Sequence, residues 1–193
     1  MRGMGGALEL LDEDVSTMTV LVGRKTSIVR SAYKARLVSA QWFSPEVVVL
    51  HSGHNDIVAH GYYNPTPTHI LPYFDELQSF RQTIEGDHPA SRVYLSSLLP
   101  RTTGSGFGLD RKIAYNKLAI RFREMLRSHA KDRSYNVLYS NVLWKSIRKW
   151  EEKEDYFLAD GLHLDGEGKT AIAKEWLSVL CAKGPMNSGG QIS

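Results

Sequence analysis

The hydrophobic positions of this chain follow two alternating patterns. Short apolar runs, often β-branched, are separated by longer stretches with an apolar residue every three or four positions. "TMTVLVG" (17–23) reads as a buried strand ending at Gly23, and "SIVRSAYKARLVSA" (27–40) follows at helical spacing. "PEVVVLHSG" (45–53) is the clearest strand, β-branched from Val47 to Val49 and bounded by Pro45 and Gly53. The prolines and asparagine of "HGYYNPTPTH" exclude a regular element. "ILPYFDELQSFRQTIEG" (70–86) predicts a helix with Leu77, Phe80 and Ile84 on one stripe. "SRVYLSSLLP" (91–100) is a third strand, stopped by Pro100 and followed by the loop "RTTGSGFG". A long helix is predicted from about Asp110 to Lys131, with Ala114, Leu118, Phe122 and Met125 as its core stripe. "YNVLYSN" (135–141) is a fourth strand, and "VLWKSIRKWEEKE" a short charged helix or linker. "EGKTAIAKEWLSVLCAK" is the last helix, with Asp165 placed to cap it.

This alternation predicts an α/β fold, a mostly parallel sheet with helices on both faces. One domain is expected over residues 1–182, with a frayed tail at 183–193 and no internal repeat. In such sheets functional groups gather at the carboxyl ends of the strands. Gly23, "HSGHND" and Pro100 all lie at strand ends, and the loop holding Asp160 and His163 follows the fourth strand by way of the charged helix.

Composition adds a few bounds. At 193 residues, 42% hydrophobic and 23% charged, the chain is an ordinary globular sequence with enough residues for a real core. Its net charge of +3 permits an acidic partner without demanding one. Cys181 is the one cysteine, so no disulfide forms within the chain and a reducing compartment is the easier reading. Its place in "WLSVLCA" reads as a small buried hydrophobe, not a nucleophile. No run approaches the roughly 20 apolar residues of a membrane span. The opening "MRGMGGALELLDEDV" has no signal-peptide pattern, and a cytoplasmic location is expected.

Two short stretches carry chemistry. In "HSGHNDI", Gly53 lets the backbone turn sharply at a strand end, Asn55 offers a side-chain amide there, and Asp56 can hold the loop by accepting backbone hydrogen bonds. An amide aimed at a developing oxyanion lowers a barrier by about 3 kcal/mol. In "ADGLHLDGEG", Asp160 stands three positions before His163, where it can take the Nδ1 proton, fix the tautomer and stabilise an imidazolium. Gly161 permits the turn between them, and Leu162 and Leu164 can anchor the loop. Each stretch alone also reads blandly, as a turn and as a helix start.

In this order the two stretches resemble the SGNH, or GDSL-type, hydrolase superfamily of esterases, lipases and acetylhydrolases. "GHND" (53–56) is similar to its third block, G-x-N-D, and "DGLHL" (160–164) to its fifth, D-x-x-H. The resemblance runs from about residue 7 to 182 and implies a flavodoxin-like α/β/α sandwich. It implies His163 as general base, Asp160 as its orienting partner and Asn55 as an oxyanion donor. The backbone N–H of Gly23, in "LVGRKTSI", would be the second donor. No metal or organic cofactor is implied, and the partner would be a small ester.

The departure is the first block, Gly-Asp-Ser, whose serine is the family's nucleophile. Ser16 precedes a strand, Ser27 and Ser31 follow Gly23, and Ser52 lies inside the third block. Family spacing places the serine before Met1, with "MRGMGGALELLDED" as the tail of the helix that follows it. The expectation is a domain without its first strand and nucleophile, inactive or nearly so. Loss of that central strand, between "TMTVLVG" and "VVVLHSG", would expose two edges and leave low stability.

Other readings are weaker. His51, His54, Asp56 and His60 cluster in sequence, but fit no common zinc spacing. His51 reads as a satisfied core group and His54 as the free position of its block. Arg123, Arg127 and Lys131 form a basic stripe on the long helix, near Arg121 and Arg133. Glu124 and Asp132 balance it as a solvated surface. The runner-up function is nevertheless a non-catalytic SGNH-like module binding RNA or protein, of the kind that the resemblance also links to retroelements. Tyr62, Tyr63 and Pro65 are candidates to line an acyl or leaving-group pocket.

Overall fold

The computed structural model describes residues 8–10, 17–19, 26–38, 46–59, 68, 70–102, 108–133, 135–147 and 156–182. Its elements are β1 (Leu8–Leu10), β2 (Thr17–Thr19), α1 (Thr26–Val38), β3 (Val47–Leu50), α2 (His54–Ala59) and α3 (Leu71–Asp87). They continue with β4 (Arg92–Ser96), α4 (Leu109–Arg133), β5 (Asn136–Leu138), α5 (Asn141–Ser146) and α6 (Gly166–Ala182).

Three strands form a parallel sheet in the order β3-β4-β5, with Val47 opposite Arg92 and Tyr94 opposite Asn136. The middle strand is buried from Val93 to Ser96, as a parallel strand covered on both faces should be. The larger core joins Leu50, Val93 and Leu95 of the sheet to Leu77, Phe80 and Ile84 of α3 and Leu118, Phe122 and Leu126 of α4. These side chains recur at helical spacing, so the apolar stripes seen in the sequence are the faces the helices bury. A smaller cluster of Leu143, Leu164 and Ile172 seats α6 against α5 and the loop before α6.

Three expectations change. The opening is not a helix tail where it is described: Leu8–Leu10 is a strand, paired antiparallel with β2, Leu8 opposite Thr19. Its apolar–polar–apolar order suits a strand, whose side chains alternate between faces. Accordingly Thr17–Thr19 joins a two-stranded sheet with β1, and among the described residues β3 pairs only with β4. Gly53 is followed at once by a helix, α2, because Ile57 N–H reaches back to the Gly53 carbonyl at 3.1 Å and Ile57 is buried. Cys181, finally, is exposed, on the face of α6 that turns away from Ile172 and the core.

The α5 N-terminus is held by a distant residue. Ser140 makes no side-chain cap. Instead Glu175 of α6 accepts hydrogen bonds from the Asn141 and Val142 amides at 2.9 and 3.0 Å and from the Asn141 side chain at 2.7 Å. A carboxylate at a helix start satisfies open N–H groups and opposes the positive end of the dipole. Glu175→Ala is therefore expected to destabilise the fold by about 1–2 kcal/mol, read as a lower urea midpoint. A midpoint equal to wild type would mean that water replaces the carboxylate without loss.

Candidate active site

The loops that matter leave the carboxyl ends of β3 and β4 and precede α6. The loop after β3 is shaped by Gly53, whose φ of +114° lies where side chains are strained. A Cβ there would sit 1.9 Å from the Tyr73 ring, so the backbone approaches α3 closely. The Tyr73 hydroxyl donates to the Ser52 carbonyl at 2.5 Å. Burial, with Asp56 and Tyr115 near, holds the Tyr73 pKa well above its ordinary value, so it remains a donor.

Asp56 closes this loop onto α1. Its Oδ2 accepts the Thr26 amide at 3.0 Å and the Thr26 hydroxyl at 2.9 Å. The Thr26 Oγ1 also lies 2.8 Å from the Ser52 hydroxyl. Thr26 is fully buried at the first turn of α1, and the anionic carboxylate sits where that helix end carries positive potential. Asn55, between His54 and Asp56, is half-buried on the first turn of α2.

The second loop is a tight turn. Gly161 adopts φ +67°, and its N–H bonds the Leu158 carbonyl at 2.9 Å. Leu158 N–H bonds the His163 carbonyl at 2.8 Å, and Phe157 bridges to Leu164. Asp165 caps α6 by accepting from Gly168 N–H at 2.7 Å. Within this frame one Asp160 oxygen accepts the Leu162 and His163 amides, both at 2.9 Å, and the other meets His163 Nδ1 at 2.5 Å. The hydrogen bond from His163, then the amides of His163 and Leu162, pull the Asp160 pKa down to about 2. An ionised carboxylate only accepts, so in the neutral ring His163 Nδ1 carries the proton and Nε2 presents its lone pair. His163 is the more exposed of the two, at 60% against 41% for Asp160, so that lone pair is open to an incoming group.

A carboxyl held below its ordinary 3.8 contributes stability above that value and loses it as pH falls towards about 2. The exposure of the pair keeps the effect small. In His163→Ala the Asp160 titration midpoint, followed by carbon-13 NMR of its carboxyl, should rise from about 2 towards 3.8. An unmoved midpoint would show that the amides alone hold it.

The two loops are joined through the segment after β4. Thr102 N–H bonds the Gly161 carbonyl at 2.9 Å. Next to it, the Arg101 backbone is clamped at N–H and C=O by the Asn116 side chain, both at 2.9 Å. Arg101 lies 5.6 Å from the Tyr115 ring centre, and Tyr115 in turn packs against the His54 ring, 4.8 Å away and tilted by 46°. Burial, then the charges of Arg101, His51 and His163, lower the His54 pKa to about 3. The loop of Gly53 to Asp56 and the histidine loop are thus linked through this segment.

His51 lies at the end of β3 with an exposed edge, not in the core as its strand alternation suggests. The protein around it still lowers its pKa to about 4. It meets the Ser96 hydroxyl at 2.5 Å and packs 5.7 Å from the Trp176 ring. Ser96 is 1% exposed within the sheet, so this second serine–histidine pair cannot receive an ester. Among the described residues, no hydroxyl or thiol hydrogen-bonds to His163. Nor do three His, Cys, Asp or Glu side chains among them come together to hold a metal ion.

Gly23, His60, Tyr62, Tyr63 and Pro65 lie outside the described residues. Thr26, Tyr73, Arg101 and Tyr115 are the residues that sequence reasoning missed. Each acts on a residue far away in the chain, and no local pattern announces such a contact. The basic stripe of α4 is partly engaged: Arg123 and Arg127 both lie over Tyr139, at 5.4 and 5.5 Å, and Arg123 bonds Asn141. Arg121 pairs with Glu124 at 3.1 Å. No helix among the described residues is long and apolar enough to cross a membrane.

Comparison with solved structures finds similar folds. A GDSL-like lipase from Bacteroides thetaiotaomicron superposes with a TM-score of 0.61 at 18% identity, over 83% of this chain and 72% of that one. The acetyl xylan esterase AlAXEase gives 0.58 at 19% identity, over 82% of this chain and 77% of that one. A lipase/acylhydrolase from Enterococcus faecalis gives 0.53 at 19% identity, over 83% and 72%. No protein-family model matches the chain. No curated protein sequence matches it either. The chain has the α/β fold of the SGNH, or GDSL-type, hydrolases.

Proposed function

We propose that this chain carries the general-base half of an SGNH-type ester hydrolase site, with Asp160 orienting His163. Asn55 and the Gly23 amide are its oxyanion donors. The observation that carries the reading is the dyad itself. Asp160 fixes the proton on Nδ1, which leaves the exposed Nε2 of His163 as the basic nitrogen. A serine hydroxyl attacking an ester carbonyl would pass its proton to that nitrogen. The carboxylate would stabilise the imidazolium, and the donors would hold the negative oxygen of the tetrahedral intermediate. The same imidazolium would then protonate the leaving alkoxide, leaving an acyl-serine, and a water deprotonated by His163 would attack that ester to release the acid and restore the serine hydroxyl.

Because no hydroxyl or thiol among the described residues bonds His163, we propose further that the chain by itself hydrolyses esters slowly or not at all. With p-nitrophenyl acetate the purified protein should release nitrophenol at close to the buffer rate. Robust turnover abolished by His163→Ala would overturn this and show that the base has a nucleophile in this polypeptide.

A further inference from the structure

Asn116 of α4 is 1% exposed, and its carboxamide is turned to the backbone of Arg101. Its Oδ1 accepts the Arg101 N–H and its Nδ2 donates to the Arg101 carbonyl, both at 2.9 Å. An N–H only donates and a carbonyl only accepts, so these partners fix the orientation of the carboxamide. The Arg101 carbonyl belongs to the same planar peptide group as the Thr102 N–H, and that N–H donates to the Gly161 carbonyl at 2.9 Å. The Gly161 carbonyl in turn shares a peptide group with the Leu162 N–H, which donates to Asp160 Oδ1 at 2.9 Å. The other Asp160 oxygen meets His163 Nδ1. A continuous run of hydrogen bonds thus leads from the side chain of Asn116 to the general base.

Every donor in the run points the same way, towards the carboxylate. A peptide group that accepts at its oxygen becomes a stronger donor at its N–H, so the bonds reinforce one another. Thr102, like Asn116, is 1% exposed, and Gly161 is buried, so water does not compete for these groups. The run ends on an anion, the acceptor that gains most from strengthened donors. It also fixes position. Gly161, at φ +67°, is the turn between the two members of the dyad, and Thr102 grips that turn from outside the loop. We infer that Asn116 is a positioning residue for the dyad. Through the peptide groups of 101–102 and 161–162 it holds Asp160 in the orientation that keeps the His163 proton on Nδ1. The inference rests on the ester-hydrolase reading of the same pair, in which that tautomer leaves Nε2 to act as the base.

The test uses the whole chain and no ester. Imidazole nitrogen-15 NMR at about pH 8, where histidine is mostly neutral, reads the ratio of Nδ1–H to Nε2–H rings at His163. In wild type the Nδ1–H form should dominate. Asn116→Leu keeps the size of the side chain and removes both of its hydrogen bonds. The ratio should then fall roughly three- to tenfold, the range set by one net hydrogen bond. Leu126→Ala, at a fully buried position of the same helix, controls for stability. It should lower the urea midpoint and leave the ratio at its wild-type value. Should Asn116→Leu fold poorly, scalar couplings across the hydrogen bonds of the wild-type protein test the run directly. They should appear from Asn116 Nδ2 to the Arg101 carbonyl carbon, from the Thr102 nitrogen to the Gly161 carbonyl carbon, and from the Leu162 nitrogen to the Asp160 carboxyl carbon.

An unchanged ratio in Asn116→Leu, an equal fall in Leu126→Ala, or the absence of the Thr102–Gly161 coupling would each overturn the inference and leave the hydrolase reading standing. A wild-type ring protonated on Nε2 would overturn both. A fall confined to Asn116→Leu supports the inference, whatever turnover the ester assay finds.

Discussion

Gly53→Ala is expected to destabilise the protein by about 3 kcal/mol or more, the sum of backbone strain and overpacking of roughly 1–3 kcal/mol each. The backbone at φ +114° is one that only glycine adopts freely. Independently, the added methyl would lie 1.9 Å from Cζ and Oη of Tyr73, far inside contact distance. Tyr73 has little room to give. It is buried, packs 4.7 Å from the Phe122 ring, and holds the Ser52 carbonyl. Domains of ordinary stability have only about 5–15 kcal/mol in total, so such a loss should lower the denaturation midpoint sharply. A double-mutant cycle separates the two causes. If the clash dominates, Tyr73→Ala should cost much less in the Gly53→Ala background than in wild type. Additive losses would assign the effect to the backbone alone, and a Gly53→Ala variant as stable as wild type would refute both.

Asp56→Ala should cost about 1–3 kcal/mol, because it strands the buried Thr26 amide and leaves the Thr26 hydroxyl with Ser52 as its remaining partner. Asp56 accepts from both of these groups, on a residue with no exposed surface. The carboxylate also neutralises the positive end of α1, a contribution that Asp56→Asn would lose while keeping an acceptor oxygen. The asparagine variant should therefore lie between wild type and alanine. Amide hydrogen exchange at Thr26 should accelerate in the alanine variant. An Asp56→Ala protein within about 0.5 kcal/mol of wild type would mean that the carboxylate is not what joins the loop after β3 to α1.

The local elements are largely legible in the sequence. β3 is visible because a β-branched run between Pro45 and Gly53 suits a strand, and Val47–Leu50 forms one, parallel to β4, with Leu50 buried and Val49 exposed. α3 and α4 are visible because their apolar stripes recur at helical spacing, and those stripes are the faces that pack in the core. The Asp165 cap is visible for the same local reason, its side chain reaching only three residues ahead. The opening misleads because "LEL" supports either period over so few residues, and its pairing with Thr17–Thr19 decides the matter. α2 escapes notice because a turn signal at Gly53 marks the end of a strand without naming the next element. Cys181 misleads because an apolar run on a helix cannot say which side meets the core.

What the sequence determined by itself is therefore local: the alternation of strands and helices, and a carboxylate three positions before a histidine on a single turn. Both are set by interactions within a few residues, so their spacing encodes them. Only the tertiary structure decided how the pieces meet. It brought Asp56 to Thr26, 30 positions away, and His54 to Tyr115, 61 positions away. It tied the Gly161 carbonyl to Thr102 and so linked the two loops. Such contacts depend on the order and register of strands that are distant in the chain, and no short stretch contains that information.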